Sequence, residues 1–102
     1  MLSISRFREV DEERAAGLHM VAEVWRSCPG CLGVDLVVNL DEPGLWALVS
    51  RWSDVGSYRR ALSGNEAKLR LTPVLLHAVD EPSAYLDPGE LVRDDDPWLR
   101  GS

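Results

Sequence analysis

Trp52 and Tyr58 are the two side chains whose type and spacing most directly suggest chemistry. They lie six residues apart in LWALVSRWSDVGSYRR, residues 45–60, where a predicted strand ends and a predicted helix begins. Each combines a large apolar ring with a hydrogen-bond donor, which needs a partner when the ring is buried. Such a pair suits the wall of a pocket for an apolar ligand. The alternative is that both rings simply fill a hydrophobic corner.

Cys28 and Cys31 form a second pair of potentially reactive side chains, with the spacing of a C-x-x-C motif. In thiol redox enzymes the reactive thiolate lies at a helix N-terminus, where the helix dipole lowers its pKa. Here the motif follows a predicted helix instead. A zinc site would need two more ligands, and the only histidines are His19 and His77. We therefore interpret the intervening Pro-Gly as a helix stop and expect no metal site.

Length and composition indicate one domain of 102 residues, 45% of them hydrophobic. No apolar run of about 18 residues and no signal peptide is visible, so we expect a cytoplasmic protein that does not bind membranes. The net charge of −6 is concentrated in residues 80–102, which carry seven acidic and two basic side chains. The sequence contains no basic stripe with interleaved aromatic residues, so we do not expect it to bind nucleic acid. We expect a domain over residues 1–86 and an acidic tail over residues 87–102.

Hydrophobic periodicity predicts the elements that position these side chains. Strands are predicted over residues 2–7, 32–40 and 45–52, and an irregular strand over residues 77–85. One helix is predicted to begin at Asp11, and a second, which is broken near Gly64, at Ser53 or Asp54. This β-α-β-β-α-β order predicts an α+β, ferredoxin-like fold, an antiparallel sheet with helices on one face. Both faces of the third strand carry apolar residues, so we expect a second subunit to cover the other face.

Several short motifs, in this order and spacing, resemble the antibiotic biosynthesis monooxygenase family, whose members are dimeric α/β barrels. The motifs are Pro29-Gly30-Cys31-x-Gly33, Asp41-Glu42-Pro43, Leu45-Trp46-x-Leu48 and Trp52-Ser53-Asp54-x-x-x-Tyr58. The resemblance covers residues 2–85. The family includes quinol- and anthrone-oxidising enzymes, haem-degrading enzymes and proteins of unknown role.

The resemblance also implies catalytic residues. In the cofactor-free anthrone-oxidising members, a strand-ending tryptophan and a tyrosine six residues later line the pocket, and Trp52 and Tyr58 match them. Arg70 matches a helical arginine if a small shift in spacing is allowed; the alternative is a solvated helix arginine. Leu48 stands where those enzymes have an asparagine. Ala61 stands where haem-degrading members have a histidine, which disfavours haem degradation.

We expect four further residues to contact the substrate: Trp25, Leu48, Leu62 and His77. Histidine is the side chain that most readily accepts a proton near neutral pH, so His77 is the candidate general base. The alternative places His77 at the edge of the last strand, in the dimer contact.

The sequence thus predicts a small, cofactor-independent monooxygenase that oxidises a hydroxylated aromatic compound of the quinol or anthrone type with O2. The substrate loses a proton and its anion reduces O2 directly, so the protein must mainly place donors where negative charge develops. The sequence contains no G-x-G-x-x-G motif, so we expect no binding site for a flavin or a nucleotide. One alternative is a non-catalytic dimeric module that binds an apolar small molecule. Another is a structural dimer whose acidic tail engages a different protein.

Overall fold

A computed structural model describes residues 1–93, and the side chains of residues 1–90, of the chain. These residues form, in chain order, β1 (Leu2–Phe7), α1 (Glu12–Arg26), β2 (Cys31–Val38), β3 (Trp46–Trp52), α2 (Val55–Ser63), a π-helical turn (Ala67–Leu71), α3 (Thr72–Leu75), β4 (Ala84–Tyr85) and α4 (Pro88–Arg93). Within this part of the chain, no helix is long and apolar enough to cross a membrane.

The four strands form one sheet in the order β2-β3-β1-β4, with every neighbouring pair antiparallel. The two hairpin strands therefore lie at one side of the sheet, and β1 separates β3 from the last strand. The helices pack on one face. This arrangement confirms the predicted ferredoxin-like fold.

The strand register decides which side chains reach the helices. Ser3 pairs with Ser50 and Phe7 with Trp46, while Val34 lies opposite Ser50 on the other side of β3. Alternate residues of all three long strands consequently point at the helices. The core contains residues from both layers: Phe7, Leu18, Val21, Ala22, Trp25, Val34, Leu48, Trp52, Ala67 and Leu71.

Helix α1 begins where the sequence predicts, because the Asp11 side chain accepts a hydrogen bond from the Arg14 backbone N–H over 2.8 Å. Its buried residues recur at helical spacing: Leu18, Val21, Ala22 and Trp25. Trp25, the last of these residues, is buried, so its indole lies at the carboxyl end of α1, over the sheet.

The chain reverses between α1 and β2 through Cys28-Pro29-Gly30-Cys31. The Cys31 N–H donates to the Cys28 carbonyl over 3.1 Å, and Gly30 has a φ of 85°. Proline followed by a residue with positive φ makes this a type II turn. The register then slips by one residue between Cys31 and Gly33, so Leu32, the first residue of the predicted second strand, is 69% exposed, whereas Val34 is buried.

The region after α2 is more irregular than periodicity suggests. The predicted break occurs at Gly64, and the widened turn that follows is closed by the Thr72 N–H donating to the Ala67 carbonyl. This turn precedes Pro73, which has no N–H to donate and cannot extend the preceding helix regularly. His77 lies in the turn after α3, so the prediction that the last strand begins at His77 is wrong.

Regular pairing of the last strand is confined to Ala84–Tyr85, which lie opposite Ser3 and Leu2. Two more hydrogen bonds extend the contact with β1: Val79 N–H to Arg6 O, 2.8 Å, and Ile4 N–H to Ser83 O, 2.7 Å. Between them the chain leaves the sheet edge around Pro82, within the strand that the sequence predicts to be irregular. Residues 88–93 of the expected tail are helical; the remaining residues, 94–102, lie outside the described part of the chain.

Candidate functional site

Three aromatic rings meet between the helices and the sheet. The ring centroids of Trp25 and Trp52 are 5.8 Å apart, those of Trp52 and Tyr58 5.8 Å, and those of Trp25 and Tyr58 6.2 Å. The Trp25 plane is inclined to those of Trp52 and Tyr58 by 81° and 70°, the edge-to-face arrangement that aromatic pairs favour, while Trp52 and Tyr58 are tilted by 60°. Three rings from α1, β3 and α2 thus form one rigid cluster.

The corner that holds Tyr58 in this cluster is built from local hydrogen bonds. The Asp54 carboxylate accepts from the Ser57 backbone N–H over 2.7 Å and begins α2. This bond, together with that of the Ser57 side chain, keeps the pKa of Asp54 below its usual value. The Ser53 N–H donates to the Gly30 carbonyl over 2.8 Å, which ties the start of α2 to the type II turn.

A cavity of about 180 Å³ adjoins the cluster, between α2 and the edge of β1. Its wall comes from five parts of the chain: Ile4 and Ser5 of β1, Trp25 of α1, Tyr58 and Leu62 of α2, Leu75 of α3, and Ala78, Val79, Glu81 and Ser83 of the segment before β4. The wall is mainly apolar with a few polar side chains, the usual character of a small-molecule site. Trp25, Tyr58 and Leu62 are the predicted site residues that meet here.

Trp52 and Leu48 are part of the core instead. Leu48 is fully buried and Trp52 is 1% exposed, and the Trp52 indole N–H donates to Ser50 Oγ over 2.8 Å. Neither residue contributes to the wall of the 180 Å³ cavity. Trp52 borders a different, open groove at one end of the strands, which Met1, Leu32 and Tyr85 also line. Its contribution to the cavity is therefore indirect, as the ring against which Trp25 and Tyr58 pack.

The indole N–H of Trp25 is in the opposite situation. Trp25 is 1% exposed and lines the cavity, and among the described buried side chains its Nε1 is the polar atom with no hydrogen-bond partner. Leaving a buried donor unpaired costs about 1–3 kcal/mol. The atom itself is closed to solvent, so it is the ring of Trp25, and not its N–H, that forms part of the cavity wall.

The Tyr58 hydroxyl retains a proton that it can donate. Ser3 Oγ donates to the Tyr58 hydroxyl oxygen over 3.4 Å, a long contact between a fully buried serine and a half-buried tyrosine. Since Tyr58 is the acceptor in this pair, its own O–H is free for a ligand in the cavity. The structure thus leaves one available donor, the Tyr58 O–H, on a side chain that lines this small, mainly apolar space.

Glu81 is a cavity residue that the sequence analysis missed. Both of its carboxylate oxygens bind Arg6: Nε donates to Oε2 over 2.7 Å, and the second guanidinium nitrogen donates to Oε1 over 2.6 Å. The hydrogen bonds and charge of Arg6 hold the pKa of Glu81 below its usual value, so the carboxylate is ionised at neutral pH. Glu81 lies in the irregular segment around Pro82, where hydrophobic periodicity does not predict which way a side chain points. The one available signal was an oppositely charged Arg6 on the neighbouring strand.

Arg70 and His77 lie away from the cavity. The Arg70 guanidinium pairs with Glu66 over 2.6 Å on the exposed surface, one helical turn away. His77 is exposed and lines a separate groove of about 370 Å³ with Asp11, Arg14 and Val74. The structure therefore does not bring these two predicted residues together with Trp25 and Tyr58.

Cys28 and Cys31 are both free thiols and half-buried. Burial and the neighbouring Cys31 raise the pKa of Cys28, which is the reverse of the shift that activates a redox thiol. Among the described residues, no group of three or more His, Cys, Asp or Glu side chains is arranged to hold a metal ion.

Comparison with known proteins identifies the family of this chain. A sequence model described as antibiotic biosynthesis monooxygenase matches residues 4–68. SnoaB from Streptomyces nogalater, a cofactor-independent oxygenase, has a similar structure at 18% identity, with a TM-score of 0.67 over 85% of this chain and 94% of SnoaB.

Two further solved structures show the same fold. Rv0793 from Mycobacterium tuberculosis is 19% identical, with a TM-score of 0.66 over 84% of this chain and 94% of Rv0793. A protein described as an antibiotic biosynthesis monooxygenase is 23% identical, with a TM-score of 0.62 over 86% of this chain and 100% of its own. No curated protein sequence gives a significant match.

Proposed function

Because the chain belongs to the antibiotic biosynthesis monooxygenase family, we propose that it oxidises a hydroxylated aromatic compound with O2, without a metal or flavin. The observation that carries this proposal is the apolar cavity into whose wall Trp25 and Tyr58 are built. The similarity of the fold to SnoaB, a cofactor-independent oxygenase, supports the same conclusion.

The proposed reaction needs little from the protein. A phenol whose para carbon carries hydrogen loses a proton, and the resulting electron-rich anion transfers electrons to O2. One oxygen atom becomes the new carbonyl of the product and the other leaves as water, so the substrate supplies every electron. Lowering the pKa of a bound phenol by two units requires about 2.7 kcal/mol of extra stabilisation of the anion.

Tyr58 is the residue we assign to that stabilisation. Its O–H is free because Ser3 donates to it, and its side chain lines a mainly apolar space in which a hydrogen bond to a developing anion is strong. The half-buried ring is held by Trp25 and Trp52, so the donor is positioned before the substrate binds.

A non-catalytic binding module is the second candidate function, and one observation favours it. The ionisable side chains in the cavity wall are Tyr58 and Glu81, and Arg6 occupies both oxygens of the Glu81 carboxylate. A carboxylate whose pKa is lowered accepts a proton poorly from a phenol. In this case the cavity would hold an aromatic molecule without converting it.

Oxygen uptake distinguishes the two candidates. We would follow O2 consumption by the metal-free protein with phenols and anthrones of increasing ring number, beside Tyr58→Phe and the matched control Tyr85→Phe. Tyr85 is half-exposed and lies on the other face of the sheet edge. Uptake above autoxidation that only Tyr58→Phe abolishes supports the oxygenase. Binding of the same compounds without uptake supports the binding module.

We further propose that the chain forms a homodimer through the sheet face that its helices leave uncovered. Ile4 and Val49 pair across β1 and β3 at the centre of this face, and both are half-buried in the single chain. Val37 and Tyr85 extend the apolar area and are 46% and 48% exposed. Burying such a face is the expected use of an apolar surface of this kind.

The oligomeric state is tested by light scattering on a sizing column. We expect a mass of twice 11.4 kDa for the wild-type chain and a monomer for Val49→Asp. Ala16→Asp, on the exposed side of α1, is the control and should stay dimeric. A wild-type monomer over the working concentration range contradicts the proposal.

A further inference from the structure

The turn between α1 and β2 carries two thiols that the proposed function does not use. Cys28 and Cys31 occupy its first and last positions, and both are free and half-buried. We propose that hydrogen peroxide joins them by a reversible disulfide across the turn, and that this bond displaces Tyr58. Formation of the bond is independent of the proposed reaction, because it requires only the two thiols and an oxidant.

The backbone of the turn brings the two cysteines within bonding range. The Cys31 N–H donates to the Cys28 carbonyl over 3.1 Å, and Gly30, at the third position, has a φ of 85°. The first and last Cα atoms of such a turn lie less than about 7 Å apart, and disulfides join Cα atoms about 4.4–6.8 Å apart. Bridging therefore needs rotation of the two side chains and at most a small tightening of the turn.

The two sulfur atoms make only weak contacts in the reduced protein. Cys28 Sγ donates to the Val24 carbonyl over 3.4 Å, and Cys31 Sγ donates to the Gly33 carbonyl over 3.8 Å. A thiol is a weak donor, so little stabilisation is lost when both side chains rotate toward each other. Burial and the nearby Cys31 thiolate raise the pKa of Cys28, which shows that the two groups are already close.

Hydrogen peroxide is the oxidant in both steps of the proposed modification. One thiolate attacks peroxide, so that an S–O bond forms, the O–O bond breaks, and hydroxide leaves and takes up the thiol proton as water. The second thiolate attacks the sulfur of the resulting sulfenic acid, so that the S–S bond forms and a second water leaves. The two thiols together lose two electrons, and both oxygen atoms of the peroxide become water.

The raised pKa of Cys28 distinguishes this pair from a catalytic dithiol. It reduces the fraction of thiolate at neutral pH, which makes oxidation slow. For the same reason Cys28 is a poor leaving group, so the disulfide is also reduced slowly. These properties suit a modification that persists after exposure to an oxidant, and not a rapid exchange of electrons with a substrate.

One peptide group joins the turn to the start of α2. The Cys31 N–H closes the turn, and the carbonyl of the same peptide group, that of Gly30, accepts from the Ser53 N–H over 2.8 Å. Gly30 is also packed against α2, since a Cβ added there would lie 2.2 Å from Ser57 Oγ. Ser57 directly precedes Tyr58 in this helix. A tightened turn therefore shifts the first turn of α2 and moves the Tyr58 hydroxyl relative to the cavity.

The sheet provides a second connection between the turn and Tyr58. Cys31 lies opposite Trp52 where β2 begins and β3 ends. The Trp52 ring in turn packs against Tyr58, with their centroids 5.8 Å apart. The disulfide thus acts on Tyr58 both through its own helix and through the neighbouring strand.

Mass spectrometry tests whether the disulfide forms. The reduced full-length protein is treated with hydrogen peroxide, remaining thiols are labelled with iodoacetamide, and the intact mass is measured before and after dithiothreitol. We expect the mass to fall by two hydrogen atoms, with no thiol left to label, and to recover on reduction. The chain contains two cysteines, so this product joins Cys28 to Cys31. Thiols that stay free, that oxidise only to sulfinic acids or that cross-link separate chains overturn the proposal.

NMR spectra of the same samples test the displacement of Tyr58. The ring signals of Tyr58 and the indole N–H signal of Trp52 should shift on oxidation and return on reduction. The indole signal of Trp46 should stay, because Trp46 lies at the opposite end of β3 and donates to the Pro43 carbonyl. Cys28→Ser should show none of these changes under peroxide. A disulfide that forms without moving the Tyr58 signals overturns the coupling to the cavity.

Oxygen uptake, measured after peroxide is removed, distinguishes this proposal from the proposed function. Misplacing a group by about 1 Å can cost about 100-fold in rate, so we expect the disulfide form to oxidise phenols at most about a tenth as fast as the reduced form. Cys28→Ser should keep its rate after the same treatment. Equal rates in the two wild-type forms overturn the effect on the site. Absence of uptake in both forms contradicts the proposed function alone, because the disulfide and the Tyr58 shift are measured separately.

Discussion

The indole N–H of Trp52 donates to Ser50 Oγ over 2.8 Å, and both side chains are closed to solvent. The two residues lie two positions apart on β3, so their side chains share the face that meets the helices. This bond occupies the donor of Trp52, which the family resemblance predicts to be a pocket residue. The indole donor without a partner among the described buried side chains belongs to Trp25, on a different element, and it is closed to solvent.

Ser50→Ala should therefore destabilise the protein by leaving the Trp52 N–H buried without an acceptor. The expected loss in free energy of unfolding is about 1–3 kcal/mol. The same substitution in a Trp52→Phe background should cost much less, because the donor is already absent. Urea unfolding of the four proteins measures this difference. Equal costs in both backgrounds would show that the hydrogen bond contributes nothing.

Gly30→Ala should disturb the corner that positions Tyr58. Gly30 has a φ of 85°, and an added Cβ would lie 2.2 Å from Ser57 Oγ and 2.5 Å from Ser57 Cβ. The backbone conformation alone costs about 1–3 kcal/mol for a residue with a side chain, and the overlap must also push the first turn of α2 away. Gly33→Ala is the matched control, since nothing lies within 4 Å of its added Cβ.

For this pair, thermal unfolding gives the stability and aromatic circular dichroism reports on the packing of Tyr58. We expect a lower melting temperature and a changed aromatic signal for Gly30→Ala alone. A Gly30→Ala protein as stable as Gly33→Ala would mean that the turn is far more adaptable than its contacts indicate.

Arg6→Gln should change how stability depends on pH. Hydrogen bonds from Arg6 lower the pKa of Glu81 in the folded protein. A group whose pKa is lower in the folded state stabilises the fold above its unfolded pKa, about 4.3 for glutamate, and that contribution is lost as the pH falls through the folded value. We expect Arg6→Gln to raise the pKa of Glu81 and to remove this part of the acid dependence.

A carbon NMR titration of the Glu81 carboxyl group gives its pKa directly, and urea midpoints at pH 7 and pH 3 give the stability difference. Arg59→Gln, an exposed substitution on α2, serves as the control. If Glu81 titrates identically in Arg6→Gln and in the wild type, the ion pair does not form in solution.

Arg70→Gln should leave oxygen uptake at the wild-type level, because the guanidinium pairs with Glu66 on the surface and not with the cavity. Exposed pairs of this kind contribute about 0.3–0.5 kcal/mol, so stability should also change little. Steady-state uptake with the best phenol provides the measurement, with Tyr58→Phe in parallel. A large loss of kcat in Arg70→Gln would contradict this expectation and support a catalytic role for Arg70.

Local sequence patterns were sufficient for most of the fold. Alternation predicted β1 with its observed bounds, and the Asp11 and Asp54 caps fixed where α1 and α2 begin. These features depend on interactions within a few residues, such as a carboxylate accepting from an N–H three positions later. The last strand was predicted poorly, because its pairing with β1 depends on residues more than 70 positions away.

What the sequence determined by itself was the order of elements, the family resemblance and the corner that carries Trp52 and Tyr58. Only the tertiary structure decided which donors are free and which residues share the cavity. Whether an indole N–H meets Ser50 or remains unpaired, as in Trp25, depends on register and helix packing. Glu81 reaches the cavity because the chain leaves the sheet edge around Pro82, and Arg6 then holds its carboxylate there. Such contacts join distant parts of the chain, and no local pattern of residue types encodes them.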